Sequence, residues 1–183
     1  MAAKWTAFVS GAVLTAQNLN DVVDNFADIA IFNETQASAT EGGTFTSGSY
    51  VKRTLNTTVV NNITGCTLTS SVIALPAGTY QVFASAQAYK VGNHKIKLRN
   101  TTASTDIAIG NSAFTDAGDA VTTPSLIQTS FVLSATTNIE LQHRCSVTRA
   151  GNGLGTAASF GDSEIYSQIT IARLIWDQKT IQK

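Results

Sequence analysis

The sequence has few charged residues. Of its 183 residues, 12 are lysine or arginine and 12 are aspartate or glutamate, together 13% of the chain, against about 25% in an average soluble protein. Because the two signs balance, no net field attracts phosphate backbones or anionic lipid. No apolar run reaches the roughly 20 residues of a membrane-spanning helix. We therefore expect neither nucleic acid nor a membrane among its partners.

Cysteine and histidine are also scarce, with two of each in the chain. Cys66 and Cys145 are too few for a disulfide framework, and neither has a cysteine or histidine partner at the spacing of a zinc site. Either both thiols are buried separately or one bridge joins them. On these grounds we expect no metal and no other cofactor.

Little in the sequence points to catalysis. No nucleophile has a base within local reach, so we expect a protein that binds without turning over a substrate. One alternative stays open, because active sites also assemble from distant strands or from different chains. In that alternative a pair of carboxylates, with Asp162 or Glu164 as a member, would cleave a polysaccharide.

The first pattern along the chain is helical. Thr15 is a suitable N-cap, and Leu14 before it can pack on the first turn, so the pattern predicts a short helix from Ala16 onward. Its apolar seam has heptad spacing and consists of Leu19, Val22, Phe26 and Ile29, with Asn33 at the next seam position. Because a helix of about 20 residues is marginal in water, we expect it to pack on its own copies; packing on the core of its own domain is the alternative.

Small and polar residues at 37–43 follow this helix and are typical of a hinge. Ahead of the helix, Trp5 and Phe8 precede any regular element and would be exposed in an isolated domain. With Leu14 they form a candidate attachment segment. The sequence thus predicts an appendage at 1–43, a domain at 44–177 and a polar tail at 178–183.

From about Phe45 the hydrophobic period changes to two, which is typical of strands. Gly, Pro, Asn or Asp bound each segment. The predicted strands are 50–61, 66–75, 79–90, 94–102, 106–109, 125–134, 138–147 and 164–176. About eight short antiparallel strands without crossover helices indicate an all-β sandwich, jelly roll or barrel.

Alternation along two of these strands places both histidines on apolar faces. His94 shares its face with Ile96 and Leu98, and His143 lies among the apolar residues of 139–145. If these two strands are neighbours, as in a jelly roll, the two rings come together, either to satisfy each other by hydrogen bonds or to bind a metal.

The opposite faces of the same two strands carry charge. One presents Lys95, Lys97 and Arg99, and the other presents Glu140, Gln142 and Arg144. This arrangement predicts one good cross-strand ion pair and an excess of positive charge. Such a face is usually solvated, and a contact with an anionic glycan or with the surface of a neighbouring protein is the alternative.

Several separated motifs occur in a fixed order. They are LPAGTY at 75–80, AQAYKVGNHKIKLRN at 86–100, SFVLSA at 130–135, LQHRC at 141–145, GLG at 153–155, and FG at 160–161 with EIY at 164–166. They resemble a domain of tailed-phage virion proteins that is similar to the trimeric jelly roll of complement globular heads and tumour necrosis factor. The resemblance implies an antiparallel jelly-roll sandwich after one short N-terminal helix, and a homotrimer.

The leader has a resemblance of its own. Trp5, GAVLTA at 11–16 and the pair at 19–20 look like an N-terminal segment of phage structural proteins. Together the resemblances imply a virion protein, a short fibre or appendage that meets a host-surface glycan or protein. A capsid decoration protein and a cellular adhesin-like binding module are the alternatives. The implied partners are its own copies and other phage head or tail proteins.

Overall fold

The computed structural model describes Val13, Thr15 and residues 28–174, and the described residues form twelve strands and no helix. Consequently, no described helix is long and apolar enough to cross a membrane. The strands are β1 (Ile29–Gln36), β2 (Val51–Lys52), β3 (Thr57–Asn61), β4 (Thr67–Thr69), β5 (Val72–Leu75), β6 (Gly78–Tyr89), β7 (Gly92–Asn100), β8 (Thr105–Ile109), β9 (Ala113–Thr115), β10 (Thr122–Leu133), β11 (Thr137–Cys145) and β12 (Glu164–Leu174).

These strands form two antiparallel sheets packed face to face. The five-stranded sheet has the order β10-β6-β12-β1-β3, and the seven-stranded sheet has the order β4-β5-β11-β7-β8, with β2 also on β11 and β9 also on β7. Spatial neighbours are mostly distant in sequence, as in a jelly roll. The predicted all-β, antiparallel jelly-roll class is confirmed. The described part of the predicted strand 164–176 is β12, which is central in its sheet, with β6 on one side and β1 on the other.

The core lies between the sheets and is built by alternation. Every second residue of β6 is buried, from Tyr80 to Ala88, and the strands opposite contribute the side chains of Ile96, Leu98 and Leu141. Burial of such side chains in alternation with polar ones is what period two predicts. The two cysteines are buried and unbridged, so the separate-thiol interpretation holds.

The prediction of a helix is wrong at its C-terminal end, where the structure has a strand. Ile29 and Asn33 lie on β1, where Ala30, Phe32 and Glu34 point into the core. The heptad spacing continued into this segment by coincidence, because a strand that alternates apolar and polar residues also offers apolar residues at helical intervals. The other predicted helix residues, Leu19, Val22 and Phe26, lie outside the described residues, as do Trp5, Phe8 and Leu14 of the attachment segment and the tail at 178–183.

The segment predicted as a hinge is held on the sandwich. The Gly42 amide donates to the Gly155 carbonyl at 3.0 Å, and Phe45 forms an isolated bridge with Arg149. The Tyr166 hydroxyl donates to the Thr40 carbonyl at 2.6 Å. The jelly roll therefore begins at β1 and includes residues 37–43, which the sequence assigned to the appendage.

Candidate functional site: a buried polar network between two unlike sheet faces

A buried ion pair joins β1 to the segment after β2. Arg53 is fully buried, and its Nη2 atom lies 2.7 Å from Oε2 of Glu34, which is itself only 1% exposed. Arg53 also donates from Nε to the same oxygen at 2.8 Å and from Nη2 to the Leu154 carbonyl at 2.9 Å. The Ser167 hydroxyl donates to Glu34 at 2.7 Å. Burial lowers the pKa of Arg53, and the Glu34 charge opposes this shift.

The two histidines continue this ion pair into the seven-stranded sheet. β7 and β11 are neighbours, with Cys145 opposite His94 and His143 opposite Ile96. Nδ1 of His94 lies 3.0 Å from Nε2 of His143, whose Nδ1 lies 3.5 Å from Nη1 of Arg53. The structure therefore brings together the two rings that alternation placed on apolar faces.

Hydrogen-bond donors fix the tautomer of each ring. Arg53 can only donate, so Nδ1 of His143 accepts and its Nε2 carries the proton. The Thr123 hydroxyl donates to the Phe114 carbonyl at 3.0 Å and therefore accepts from Nε2 of His94 at 2.9 Å. We call Glu34, Arg53, His94, His143 and Thr123 the buried polar network. Each of its imidazole nitrogens has a hydrogen-bond partner, which leaves no lone pair directed at a metal.

Burial keeps both imidazoles neutral. It lowers the pKa of His94 to about 4, with the charge of Arg53 acting in the same direction. Burial, Arg53 and His94 hold the pKa of His143 well below its usual value. Within residues 28–174 no group of three His, Cys, Asp or Glu side chains is placed to hold a metal ion. Of the two interpretations of the histidine pair, mutual hydrogen bonding fits the geometry.

Sequence reasoning missed Arg53 and Glu34. Both follow the alternation of their segments, since Val51, Arg53 and Leu55 are spaced by two, and Glu34 follows Phe32 at the same spacing. That alternation was the available signal. Charged residues are almost never fully buried unless paired, and the pairing partner became visible only with the fold.

The outer face of the five-stranded sheet carries no charge over its four longest strands. Its side chains are Ile29, Ile31 and Asn33 of β1, Gln168, Thr170 and Ala172 of β12, Thr79, Gln81, Phe83 and Ser85 of β6, and Leu126, Gln128, Ser130 and Val132 of β10. All of them alternate with buried residues, and of these side chains Asn33 is itself buried, at 5% exposure. We call this surface the uncharged face. Phe83 near its centre is 46% exposed and Val132 at its edge is 73% exposed.

The outer face of the seven-stranded sheet is cationic. Register places Lys95, Lys97 and Arg99 opposite Arg144, Gln142 and Glu140, as alternation predicts. The ion pairs differ from the simple cross-strand expectation. Asp106 of β8 lies 3.0 Å from Lys97 and 2.7 Å from Arg99. The hydrogen bond from Arg99 lowers the pKa of Asp106 most, and the one from Lys97 lowers it further. Glu140 lies 3.6 Å from Lys52.

No protein-family model matches this chain, and no curated protein matches it. Several solved structures share its fold. Murine APRIL at pH 5.0 is 9% identical, with a TM-score of 0.53, over 80% of this chain and 98% of that one. The structure of Eiger TNF from S. frugiperda is 12% identical, with a TM-score of 0.52, over 85% and 97%.

The globular domain of zebrafish complement 1qA protein also matches, at 11% identity and a TM-score of 0.47, over 80% of this chain and 94% of that one. At these identities the first two likenesses show the fold alone. The chain is an all-β jelly-roll protein of the architecture seen in Eiger TNF.

Proposed function

We propose that this protein is a homotrimeric binding module without catalytic activity, and specifically a short fibre or appendage of a tailed-phage particle. The observation that carries the proposal is the uncharged face. Burying an ionised side chain at an interface costs several kcal/mol unless it is paired. A broad sheet face made of apolar, hydroxyl and amide side chains avoids that cost and is suited to contact with its own copies.

The position of individual side chains supports self-association through this face. Phe83 lies near the middle of the sheet, and Leu126 and Val132 extend the apolar area toward the edge strand β10. Aromatic residues at the centre of a patch, with polar residues around them, are typical of protein interfaces. Three copies are favoured because the ordered motifs resemble a trimeric jelly roll.

The sequence motifs support the particle role, and the buried polar network supports the absence of turnover. The ordered motifs from 75–80 to 164–166 resemble those of phage virion proteins, and the leader at 5–20 resembles an attachment segment. In the buried polar network the side chains hydrogen-bond to one another, and Glu34, Arg53 and His143 are at most 1% exposed. The charged side chains of this network thus stabilise the fold, and we expect binding to occur at the outer surfaces.

Analytical ultracentrifugation of the full chain at micromolar concentration tests the assembly. We expect a species of three times the 19.3 kDa chain mass, and a clean monomer would contradict the proposal. The particle role is tested separately, by mass spectrometry and electron microscopy of purified virions from the producing cells. Copies at the tail support the fibre, copies over the head support decoration instead, and the protein on a cell surface without particles contradicts a virion role.

A further inference from the structure

We propose that a cleft on the cationic outer face binds an anionic saccharide, a sugar that carries a carboxylate or sulfate group, through Lys95 and Arg144. This inference goes beyond self-association and does not depend on it, because the cleft and the uncharged face lie on opposite sheets. The cleft is formed where β7, β9 and β11 meet the loop at 47–50.

The two cations stand directly opposite each other. Lys95 on β7 is the register partner of Arg144 on β11, and like charges in such a position destabilise a sheet. The other cations of this face each have a carboxylate partner, since Lys97 and Arg99 share Asp106 and Lys52 lies 3.6 Å from Glu140. Among residues 28–174, no carboxylate lies within ion-pair distance of Lys95 or Arg144. The repulsion between Lys95 and Arg144 is therefore not relieved by any described carboxylate. An external anion bound between them would relieve it.

The walls of the cleft are polar and contain no carboxylate. They include the Asn93 amide and the Ser112 hydroxyl, and neither side chain has a hydrogen-bond partner within residues 28–174. These groups are positioned to bind the ring hydroxyls of a sugar, while Lys95 and Arg144 bind its acidic group. His94 also borders the cleft and is neutral at pH 7, so the charge there comes from the two cations.

Size and charge favour a saccharide over other anions. The cleft has a volume of about 650 Å³, within the range of small-molecule sites and far larger than a single inorganic anion. The two cations of the cleft are too few for a nucleic acid, whose affinity grows with each phosphate that is contacted. A short stretch of an acidic polysaccharide has both kinds of group that this cleft can bind. Its acidic groups suit the two cations, and its many hydroxyls suit the polar side chains of the walls.

Isothermal titration of the full chain tests the proposal with three probes of equal length. These are tetragalacturonate, which carries carboxylates, a heparin tetrasaccharide, which carries sulfates, and neutral maltotetraose. We expect at least one acidic probe to bind and maltotetraose not to bind. In the double variant Lys95→Gln/Arg144→Gln the affinity for the acidic probe should fall at least tenfold, because both charged hydrogen-bond donors to its acidic group are removed.

The matched control is Lys52→Gln/Arg99→Gln, which removes the same charge from the same face outside the cleft. It should change the affinity less than twofold. An equal loss in both variants would show general electrostatic attraction and overturn the cleft assignment, as would binding of maltotetraose or failure of both acidic probes at millimolar concentration. Circular dichroism checks folding, and the single exposed Arg144→Gln replaces a double variant that unfolds. Light scattering on the same samples reports the oligomer separately.

Discussion

His94 donates its Nε2 proton to Thr123 and accepts at Nδ1 from His143, so both imidazoles are neutral links in one directed chain of hydrogen bonds. The chain begins at Arg53 and ends at the Phe114 carbonyl. The chain connects the two sheets at both ends, because Arg53 pairs with Glu34 of β1 and Thr123 lies on β10, both in the five-stranded sheet, while the histidines lie on β7 and β11 of the other sheet. A network with every member satisfied fixes the relative position of the two sheets more specifically than apolar packing alone.

This chain predicts a loss of stability in mild acid. The pKa of His94 is about 4 in the folded protein, whereas an unfolded histidine has a pKa near 6.5. Between those values the unfolded chain binds more protons, so the free energy of unfolding is highest above pH 6.5 and falls as the pH drops toward 4. His143 acts in the same direction. Urea unfolding at a series of pH values measures the effect.

Nitrogen-15 NMR of the imidazoles gives an independent check on the same point. Both rings should show the tautomer protonated at Nε2 and should keep it at pH 6. A ring that titrates near pH 6.5, or a free energy of unfolding that is constant from pH 6.5 to 4.5, would contradict the prediction.

The buried ion pair predicts a large effect of a small change. Glu34→Gln removes one charge and leaves Arg53 buried without a counter-ion, so the free energy of unfolding should fall by about 3 kcal/mol or more. The control is Asp106→Asn, which removes the carboxylate of a partly exposed ion-pair cluster and should cost no more than about 1 kcal/mol. Urea unfolding at pH 7.5 measures both, and equal losses would contradict the interpretation.

Alternation was sufficient to predict the strands that carry the histidines. In β7 and β11 apolar and polar residues alternate without interruption, and a shift by one residue would have turned His94 and His143 to solvent. The opposition of Lys95 to Arg144 follows from the same register. These features are local or depend on the pairing of two strands, which is why they could be predicted from the sequence.

Other features depend on contacts between distant segments. β1 was hidden because Ile29 extends a heptad seam that begins earlier in the chain, and only its pairing with β12 and β3 makes it a strand. Burial of Arg53 required Glu34 and the Leu154 carbonyl, which is about a hundred residues away in the chain. The cleft needs the loop at 47–50, whose position no alternation determines.

The uncharged face predicts that one charge will block assembly. Phe83→Glu places a carboxylate near the centre of the proposed contact, where its desolvation would cost several kcal/mol. We expect a folded monomer in sedimentation velocity. The matched control is Phe160→Glu in the loop before β12, where the phenyl ring is 88% exposed; this variant should assemble like the parent. A Phe83→Glu protein that still forms trimers would place the contact elsewhere.

The opposed cations predict a variant that gains stability and loses binding. Arg144→Glu places an acid opposite Lys95, so a repulsion becomes a cross-strand ion pair that contributes roughly 0.2–1 kcal/mol. The melting temperature should rise, while titration with the acidic tetrasaccharides should show no binding. Gains of this kind at the expense of function are common where a site holds like charges together. A lower melting temperature would contradict the register argument.

The folded domain begins at β1, so deletions that end before and after this strand should behave differently. Deleting residues 1–27 leaves all twelve strands in place, so the product should keep a β-rich circular dichroism spectrum and a cooperative thermal transition. Under the proposed particle role it should also fail to join particles, because it lacks the proposed attachment segment with Trp5 and Phe8. Deleting residues 1–43 additionally removes β1, and with it the fully buried Phe32 and the Glu34 carboxylate.

The longer deletion should not fold. Loss of a buried phenylalanine alone costs about 3–5 kcal/mol, and loss of Glu34 leaves Arg53 as an unpaired buried charge at a similar cost. Together these two losses are comparable to the whole free energy of unfolding of a typical domain, about 5–15 kcal/mol. A longer deletion that still unfolds cooperatively would show that β1 is dispensable, whereas incorporation of the shorter deletion into particles would assign attachment to the jelly roll.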